Sequence, residues 1–245
     1  MQRNIDVDYI GLALRGSADL PATPAQNAVL LLHGFTGSRI EFSYLYVHLA
    51  RLLNAQGIAV FRFDFAGCGE SEGDFADLSI HDQAAQTDVL LDQLATAYPG
   101  LRWHLLGFSM GALAASISAA RRTDLASLLL VAPASNLHSN VLKTAKQAAT
   151  PLDNGGYDFI GLEISAAFLE EVAAFDLAAV LPKLKLPTLV LHGENDGVVP
   201  AQLGRAAAAQ IAGGHYQEIT GADHVFAQMP HRRALADAIA AWIRG

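Results

Sequence analysis

Short, almost continuously apolar runs alternate with segments of helical periodicity along most of this chain. The predicted strands are residues 27–33, 58–63, 102–106, 126–131, 186–192 and 215–220. Strands that are apolar on both faces are typical of parallel sheets, because helices cover each side of such a sheet. The alternation therefore predicts an α/β fold built on a doubly wound, mostly parallel sheet.

Two helical patterns and one edge segment support this order of elements. Apolar and small residues recur at steps of three and four from Ile80 to Tyr98, which predicts one buried helix face. The pattern returns near the C-terminus with Leu235, Ile239 and Trp242. Residues 3–16 precede the alternation and predict one or two edge strands.

The segment 134–185 interrupts this rhythm, because strand-to-strand connections in α/β units rarely need so long a loop. It contains the turn-rich stretch "TPLDNGGYDF" and then a helical run from about Glu163 to Ala174. We interpret the segment as a cap inserted over the C-terminal edge of the sheet, within a single domain of residues 1–245. Two ordinary helices packed on the sheet are the alternative.

Composition limits the partners of the chain. Hydrophobic residues make up 52% and charged residues 16% of 245 residues, which is enough apolar material for one large domain. The net charge of -8 argues against nucleic acid or an anionic membrane surface as a partner. The sequence leaves the oligomeric state open.

We expect a cytoplasmic protein without cofactor or metal. The N-terminal residues carry no apolar signal-peptide core, and no apolar run reaches the roughly 20 residues that cross a bilayer. Cys68 is the only cysteine, so neither an internal disulfide nor a cysteine metal cluster can form. No spacing of His, Asp and Glu indicates a metal site.

The candidate nucleophile is a serine between two glycines, in the stretch Gly107-Phe108-Ser109-Met110-Gly111. This G-x-S-x-G follows the strand 102–106 and precedes a helical run. In such a strand-to-helix bend the serine occupies a strained backbone position, and the glycines remove side chains that would collide there. A purely structural serine would not need both glycines.

A serine hydroxyl needs a base that takes its proton as it attacks. Among the nine histidines, His224 has the best position, since it follows the last predicted strand and precedes the last helix. His33 and His192 also end strands and are the alternatives. They are better explained as histidines that brace loops by hydrogen bonds.

The third member of the site should orient the imidazole and stabilise its charged form. The stretch "LHGENDGVVP" offers Glu194 and Asp196 directly after the strand 186–192. We prefer Asp196, because the loop that follows it can turn its carboxylate inward, and keep Glu194 as the alternative. The chain order Ser109, Asp196, His224 is the one expected for this type of sheet.

A glycine-bearing loop in "LLLHGFTGS" follows the strand 27–33 and can direct a backbone N–H at a developing oxyanion. Phe35 is the predicted donor in that loop. The N–H of Met110, at the start of a helix where donors are unpaired, is its predicted partner.

Two other stretches look functional but are better explained otherwise. "GCGESEG" at 67–73 resembles a dinucleotide loop, yet its glycine spacing is wrong and its acidic side chains would repel a pyrophosphate. Cys68 has no base placed beside it, and a small packed thiol explains it better.

With these residues in hand, the chain resembles the α/β-hydrolase superfamily, and within it the branch of cinnamoyl and feruloyl esterases and related small esterases. The matching stretches are "HGFTGS", "DFAGCGESEG", "GFSMG", "HGENDGVVP" and "GADHVF", in that order. The resemblance implies an eight-stranded sheet, Ser109–Asp196–His224 as a triad, and Phe35 and Met110 as oxyanion donors. Relatives that grip a phenolic hydroxyl use an acid early in the insertion, and residues 135–140 contain none.

The sequence therefore predicts a serine hydrolase that cleaves small carboxylic esters through an acyl-enzyme, with aryl and hydroxycinnamoyl esters among the candidates. The cap would supply an apolar pocket lined by Tyr157, Phe159 and Phe168. Amide, thioester and carbon–carbon bond hydrolysis use the same triad and stay open. A non-catalytic binding protein is the alternative of another class.

Overall fold

The computed structural model describes all 245 residues. Its strands are β1 (Gln2–Tyr9), β2 (Leu12–Asp19), β3 (Asn27–Leu32), β4 (Ala59–Phe63), β5 (Arg102–Phe108), β6 (Ser127–Val131), β7 (Thr150–Pro151), β8 (Tyr157–Phe159), β9 (Leu162–Ile164), β10 (Thr188–Gly193) and β11 (His215–Ile219). Its α-helices are α1 (Leu45–Asn54), α2 (Ile80–Ala97), α3 (Gly111–Arg121), α4 (Leu137–Ala148), α5 (Ala166–Ala174), α6 (Ala201–Ala209) and α7 (Met229–Arg244).

Eight strands form one sheet in the order β1-β2-β4-β3-β5-β6-β10-β11. The pairs β1–β2 and β2–β4 are antiparallel, and all the other neighbouring strands in the sheet run parallel. The predicted α/β-hydrolase fold, with a mostly parallel eight-stranded sheet flanked by helices, is confirmed. Residues 3–16, for which one or two edge strands are predicted, belong to the two strands β1 and β2. The turn between these strands is formed by Ile10 and Gly11, which both have positive φ.

The sheet separates two apolar layers. Along β3, Leu30 and Leu32 face the layer that contains α2 and α3, while Val29 and Leu31 face the layer that contains α1 and α7. This alternation explains why the strands read as continuously apolar, since both faces of each central strand are buried.

The segment 134–185 holds α4, the small antiparallel sheet β7-β8-β9, α5, and two short 3₁₀ helices. The helix predicted from about Glu163 to Ala174 begins later in the structure, where α5 starts at Ala166. Residues 162–164 pair with β8, and the Ser165 side chain then accepts the Phe168 N–H and begins α5. The helix α4, at residues 137–148, is not among the elements predicted from the sequence.

No helix of the structure combines the length and apolarity that a bilayer-crossing segment needs.

The strands β3, β5, β10 and β11 run parallel, so the loops that leave their carboxyl ends meet at one edge of the sheet. The candidate site lies at this edge.

Candidate active site

Ser109 occupies a left-handed backbone position, with φ of 53°, in the bend between β5 and α3. Both flanking glycines are required by close packing in that bend. A Cβ on Gly107 would lie 2.4 Å from the Gly111 carbonyl oxygen, and one on Gly111 would lie 2.4 Å from the Leu32 carbonyl oxygen. The bend can therefore press α3 against the end of β3 only with glycines at these two positions.

The structure brings the three residues predicted for the triad together. The Nε2 atom of His224 lies 3.2 Å from the Ser109 Oγ, and its Nδ1 lies 2.7 Å from the Asp196 Oδ2. The Asp196 side chain is fully buried, and the His224 side chain is 11% exposed. A hydroxyl, an imidazole and a carboxylate are thus joined in one hydrogen-bonded line.

Asp196 is held as a carboxylate from two sides. Its Oδ1 accepts the N–H groups of Val198 at 2.8 Å and Val199 at 2.7 Å, within its own loop. Burial by itself would raise the pKa of Asp196, but the neighbouring imidazoles of His192 and His224 outweigh it and keep that pKa below its usual range. The carboxylate therefore stays charged at neutral pH.

The two alternative histidines are both fully buried, and their hydrogen bonds go to groups other than Ser109. The Nε2 of His192 lies 2.8 Å from the Val199 carbonyl oxygen and 3.3 Å from the Asp196 Oδ2. The Nδ1 of His33 lies 2.9 Å from the Gly34 carbonyl oxygen. Both rings brace loops, as the sequence interpretation favoured.

The alternative acid, Glu194, is exposed and accepts the Gly221 N–H at 2.7 Å. It ties the loop after β10 to the loop after β11. It makes no hydrogen bond to His224, whose Nδ1 is bonded to Asp196.

The two predicted oxyanion donors are free. Neither the Phe35 N–H nor the Met110 N–H donates a hydrogen bond within the protein. A Cβ on Gly34, the residue before Phe35, would lie 3.3 Å from the Ser109 Cβ, which shows how closely that loop approaches the serine. Met110 directly precedes α3, so its N–H also lies at the positive end of a helix dipole.

A cavity of about 420 Å³ opens beside Ser109 and His224. One wall is the loop 34–42, and the opposite wall is one face of α4, with Leu137, Asn140, Val141 and Thr144. Asn136 and Asn140 both donate to the Val198 carbonyl oxygen at 3.1 Å, so the start of α4 is tied to the loop that carries Asp196.

The three aromatic residues predicted to line the pocket are not part of the cavity wall. Phe168 is 1% exposed and stacks behind Phe35, with 5.7 Å between ring centroids. Tyr157 and Phe159 lie in β8 and pack against the main apolar core. The reason is that α4, rather than the β8–β9 hairpin, faces the serine.

The face of α4 could have been found from the sequence. Leu137, Val141 and Ala145 recur at steps of four, and all three are buried. Glu41, a carboxylate in the cavity wall, carried no such signal because its partners are backbone groups.

Two further features concern the groups available for chemistry, the side chains that could hold a metal ion and the thiol of Cys68. The structure has no cluster of three or more His, Cys, Asp or Glu side chains that could hold a metal ion. Cys68 is buried, and burial together with the nearby charge of Asp64 raises its pKa to about 12. Its thiol is therefore inert at neutral pH.

Comparison with known proteins gives one family and a consistent set of relatives. Residues 23–154 match the family Hydrolase_4, described as serine aminopeptidase, S33. A monoacylglycerol lipase of Mycolicibacterium smegmatis is 25% identical over an alignment of 257 residues, covering 91% of this chain and 90% of the lipase. A monoglyceride lipase homologue of monkeypox virus is 28% identical, covering 80% of this chain and 78% of that protein.

Among solved structures, Est1E from Butyrivibrio proteoclasticus with bound ferulic acid is similar over 98% of both chains. The TM-score is 0.84 and the sequence identity 22%. This likeness shows that the two chains share a fold.

Proposed function

The chain belongs to the Hydrolase_4 family (serine aminopeptidase, S33) of α/β-hydrolases, and from this premise we propose that it cleaves carboxylic esters through an acyl-enzyme formed on Ser109. The family match and the two lipase relatives make it a carboxylic-ester hydrolase. The observation that carries the proposed mechanism is the unbroken hydrogen-bonded line from the Ser109 Oγ through His224 to Asp196.

In the first step the Ser109 oxygen attacks the acyl carbon, while its proton passes to the Nε2 of His224 across 3.2 Å. Asp196 accepts the Nδ1–H of the same ring, which leaves Nε2 free to act as the base. The charged Asp196 then stabilises the imidazolium that forms. No proton needs to reach Asp196.

The carbonyl oxygen becomes negatively charged as the new bond forms. The free N–H groups of Phe35 and Met110 would donate to it, and the start of α3 adds a favourable dipole. Loss of one such donor typically costs about 3–4 kcal/mol of transition-state stabilisation.

Collapse of this intermediate breaks the bond to the leaving alcohol, which receives the proton from His224. A water molecule then attacks the acyl-enzyme, gives its proton to His224 and releases the acid. The proton returns to Ser109, so the enzyme is regenerated.

The cavity supports an ester with an apolar acyl or aryl group. Leu137, Val141 and Phe108 supply apolar wall beside Ser109, and we propose that the segment 134–185 acts as the cap over this pocket. The α4 face contains Asn140 and Thr144 but no acid. Simple acyl esters are therefore proposed ahead of hydroxycinnamoyl esters.

The test combines active-site labelling with a substrate panel. A fluorophosphonate probe should label Ser109, as read by peptide mass spectrometry, and Ser109→Ala should abolish labelling while the protein stays folded. Ser109→Ala should lower p-nitrophenyl ester turnover by about 10⁴- to 10⁶-fold. Unchanged turnover in this variant would contradict the mechanism.

The panel should contain acyl esters of increasing length, a methyl hydroxycinnamate, a thioester and an aminoacyl anilide. Faster cleavage of the anilide than of every ester would replace the ester assignment with a peptidase. A preference for the hydroxycinnamate would overturn the proposed order of substrates.

A further inference from the structure

Glu41 is a buried carboxylate in the wall of the cavity, and it forms no ion pair. It is 7% exposed, and each of its oxygens accepts a backbone N–H instead of a side-chain cation. Oε1 accepts from Gly34 at 2.6 Å, and Oε2 accepts from Phe42 at 2.8 Å. Burial of a charge without an opposite charge is unfavourable, and here only hydrogen bonds from backbone N–H groups offset that cost.

The Gly34 carbonyl oxygen, which belongs to the next peptide unit, is held separately. It accepts the Gly37 N–H at 3.1 Å and lies 2.9 Å from the Nδ1 of His33. The Nε2 of His33 accepts the Phe65 N–H at 3.1 Å, so the ring proton of the neutral imidazole is on Nδ1 and is donated to Gly34.

Each of the two peptide planes that flank Gly34 therefore has its own anchor. Glu41 holds the plane that contains the Gly34 N–H, and His33 holds the plane that contains the Gly34 carbonyl. Only the φ and ψ of Gly34 connect these planes, and a glycine is the residue with the greatest freedom in both angles. Because hydrogen bonds to Glu41 and His33 hold the two peptide planes, they remove the conformational freedom of Gly34.

The second plane also contains the Phe35 N–H. In a planar trans peptide the C=O and the N–H point in opposite directions, so a carbonyl bonded to His33 turns the Phe35 N–H away from that ring. That N–H is free, and the loop passes close to the serine, since a Cβ on Gly34 would lie 3.3 Å from the Ser109 Cβ.

We propose that Glu41 is a positioning residue for the oxyanion hole: together with His33 it fixes the direction of the Phe35 N–H. The inference rests on the proposed ester hydrolysis and adds a residue to it. Glu41 does not touch the reacting atoms. It acts through Gly34.

The surroundings of Glu41 fit a rigid support. A Cβ on Gly37 would lie 2.7 Å from the Oε1 of Glu41, so the glycine leaves room for the carboxylate inside the turn. The preceding segment is fixed by the Arg39 N–H, which donates to Asp64 at 2.5 Å, and by the Arg39 guanidinium, which contacts Asp64 and Glu70.

Two substitutions separate position from charge. Glu41→Gln keeps the length and one acceptor that can reach the Gly34 N–H, but it removes the charge. Glu41→Asp keeps the charge but is one methylene too short to hold Gly34 as Glu41 does. If Glu41 acts by position, Glu41→Gln should be the more active variant.

We expect Glu41→Asp to lower kcat for p-nitrophenyl butyrate by about 100-fold, the loss typical of removing one oxyanion donor, with KM changed less than about threefold. Glu41→Gln should stay within about tenfold of wild type. The inhibition constant of a trifluoromethyl ketone, which forms an oxyanion on the enzyme, should follow kcat across the variants.

Glu171 provides matched controls. It is a half-buried glutamate whose carboxylate, like that of Glu41, accepts two backbone N–H groups, those of Ile80 at 3.2 Å and His81 at 3.0 Å. It also accepts the Ser79 hydroxyl at 3.0 Å, and it lies outside the cavity wall. Glu171→Gln and Glu171→Asp should leave kcat within about threefold of wild type. A comparable loss in the Glu171 variants would mean that destabilisation alone explains the result.

The amide of Phe35 gives a readout that does not depend on activity. In the full chain labelled with ¹⁵N-phenylalanine, Glu41→Asp should shift or broaden the Phe35 amide signal, while Glu171→Asp should leave it in place. The two proposals can fail separately. If Ser109→Ala keeps full ester turnover, the proposed function is wrong. The Phe35 amide signal then still tests whether Glu41 fixes the peptide between Gly34 and Phe35.

Three further outcomes would overturn the role of Glu41. They are an unchanged Phe35 signal in Glu41→Asp, a Glu41→Asp enzyme more active than Glu41→Gln, and a kcat that rises in Glu41→Gln. The last outcome would mean that the carboxylate mainly repels the developing charge.

Discussion

Three hydrogen bonds end on the buried Asp196 carboxylate. Two come from backbone N–H groups of its own loop, and one comes from the imidazole of His224. The Nε2 of His192 lies 3.3 Å from the same Oδ2, so the sequence motif "HGEND" contributes a polar neighbour as well as the acid. A neutral amide at position 196 cannot accept all three bonds, because its nitrogen is a donor.

Asp196→Asn should therefore lower kcat by about 10⁴-fold, because the amide favours the wrong tautomer of His224. The substitution should also change the acid stability. The pKa of Asp196 in the folded state lies below its ordinary value of 3.8, so its contribution to stability is present above that pH and is lost as the pH falls below it.

Urea unfolding of wild type and Asp196→Asn from pH 7 to pH 3 measures this contribution. Wild type should be the more stable protein at pH 7, and the difference should shrink in the most acid samples. A difference that stays constant across this range would contradict the lowered pKa of Asp196.

At the scale of single elements, the bend from β5 to α3 shows how two glycines set the position of a helix. Gly107 and Gly111 let the first turn of α3 contact the end of β3, and this contact puts Ser109 at the rim of the sheet. The pattern could be read from the sequence, because its requirements are local to the bend.

Gly111→Ala should destabilise the protein by about 3 kcal/mol, since its Cβ would meet two backbone carbonyl oxygens at 2.4 and 2.5 Å that cannot move independently. Gly197→Ala is the control, because a Cβ there meets nothing within 4 Å. Its effect should be within about 0.5 kcal/mol. Equal urea midpoints for the two variants would show that the β3–α3 contact relaxes without cost.

At the scale of the whole molecule, the central strands bury polar side chains between two apolar layers. His104 in β5 is 2% exposed, with its Nδ1 2.7 Å from the Ser127 Oγ and its Nε2 3.2 Å from the Asn27 Oδ1. Burial, and to a smaller extent the charge of Arg102, lowers the pKa of His104 to about 4. The neutral ring is thus a part of the folded sheet.

The unfolded chain binds a proton at His104 near pH 6.5, whereas the folded chain does so only near pH 4. Its contribution to stability is therefore fully present above pH 6.5 and is lost as the pH falls through this window. The loss can reach about 3 kcal/mol, at about 1.4 kcal/mol for each unit of pKa difference.

His104→Gln should remove this part of the acid sensitivity. The unfolding free energy of the variant, from urea titrations between pH 7 and pH 4, should fall less steeply than that of wild type. Parallel curves would indicate that the ring is protonated in the folded sheet at its ordinary pKa.

The sheet, the turn at Ser109 and the order of the proposed catalytic residues could all be predicted from the sequence. These features are encoded locally: strands by runs of apolar residues, the bend by Gly107 and Gly111, and the acid and base by their places directly after strands. Such features can be recognised in a sequence because the residues that form each of them are close together along the chain.

The contacts between side chains that are distant in the sequence depend on the packing of the folded chain. This packing put α4 in place of Tyr157, Phe159 and Phe168 at the cavity, and it paired Glu41 with Gly34 and His192 with Asp196. Such contacts depend on how separate elements pack, and a glutamate that binds backbone N–H groups has no partner residue type to reveal it. Packing, rather than periodicity, therefore sets the shape and the support of this site.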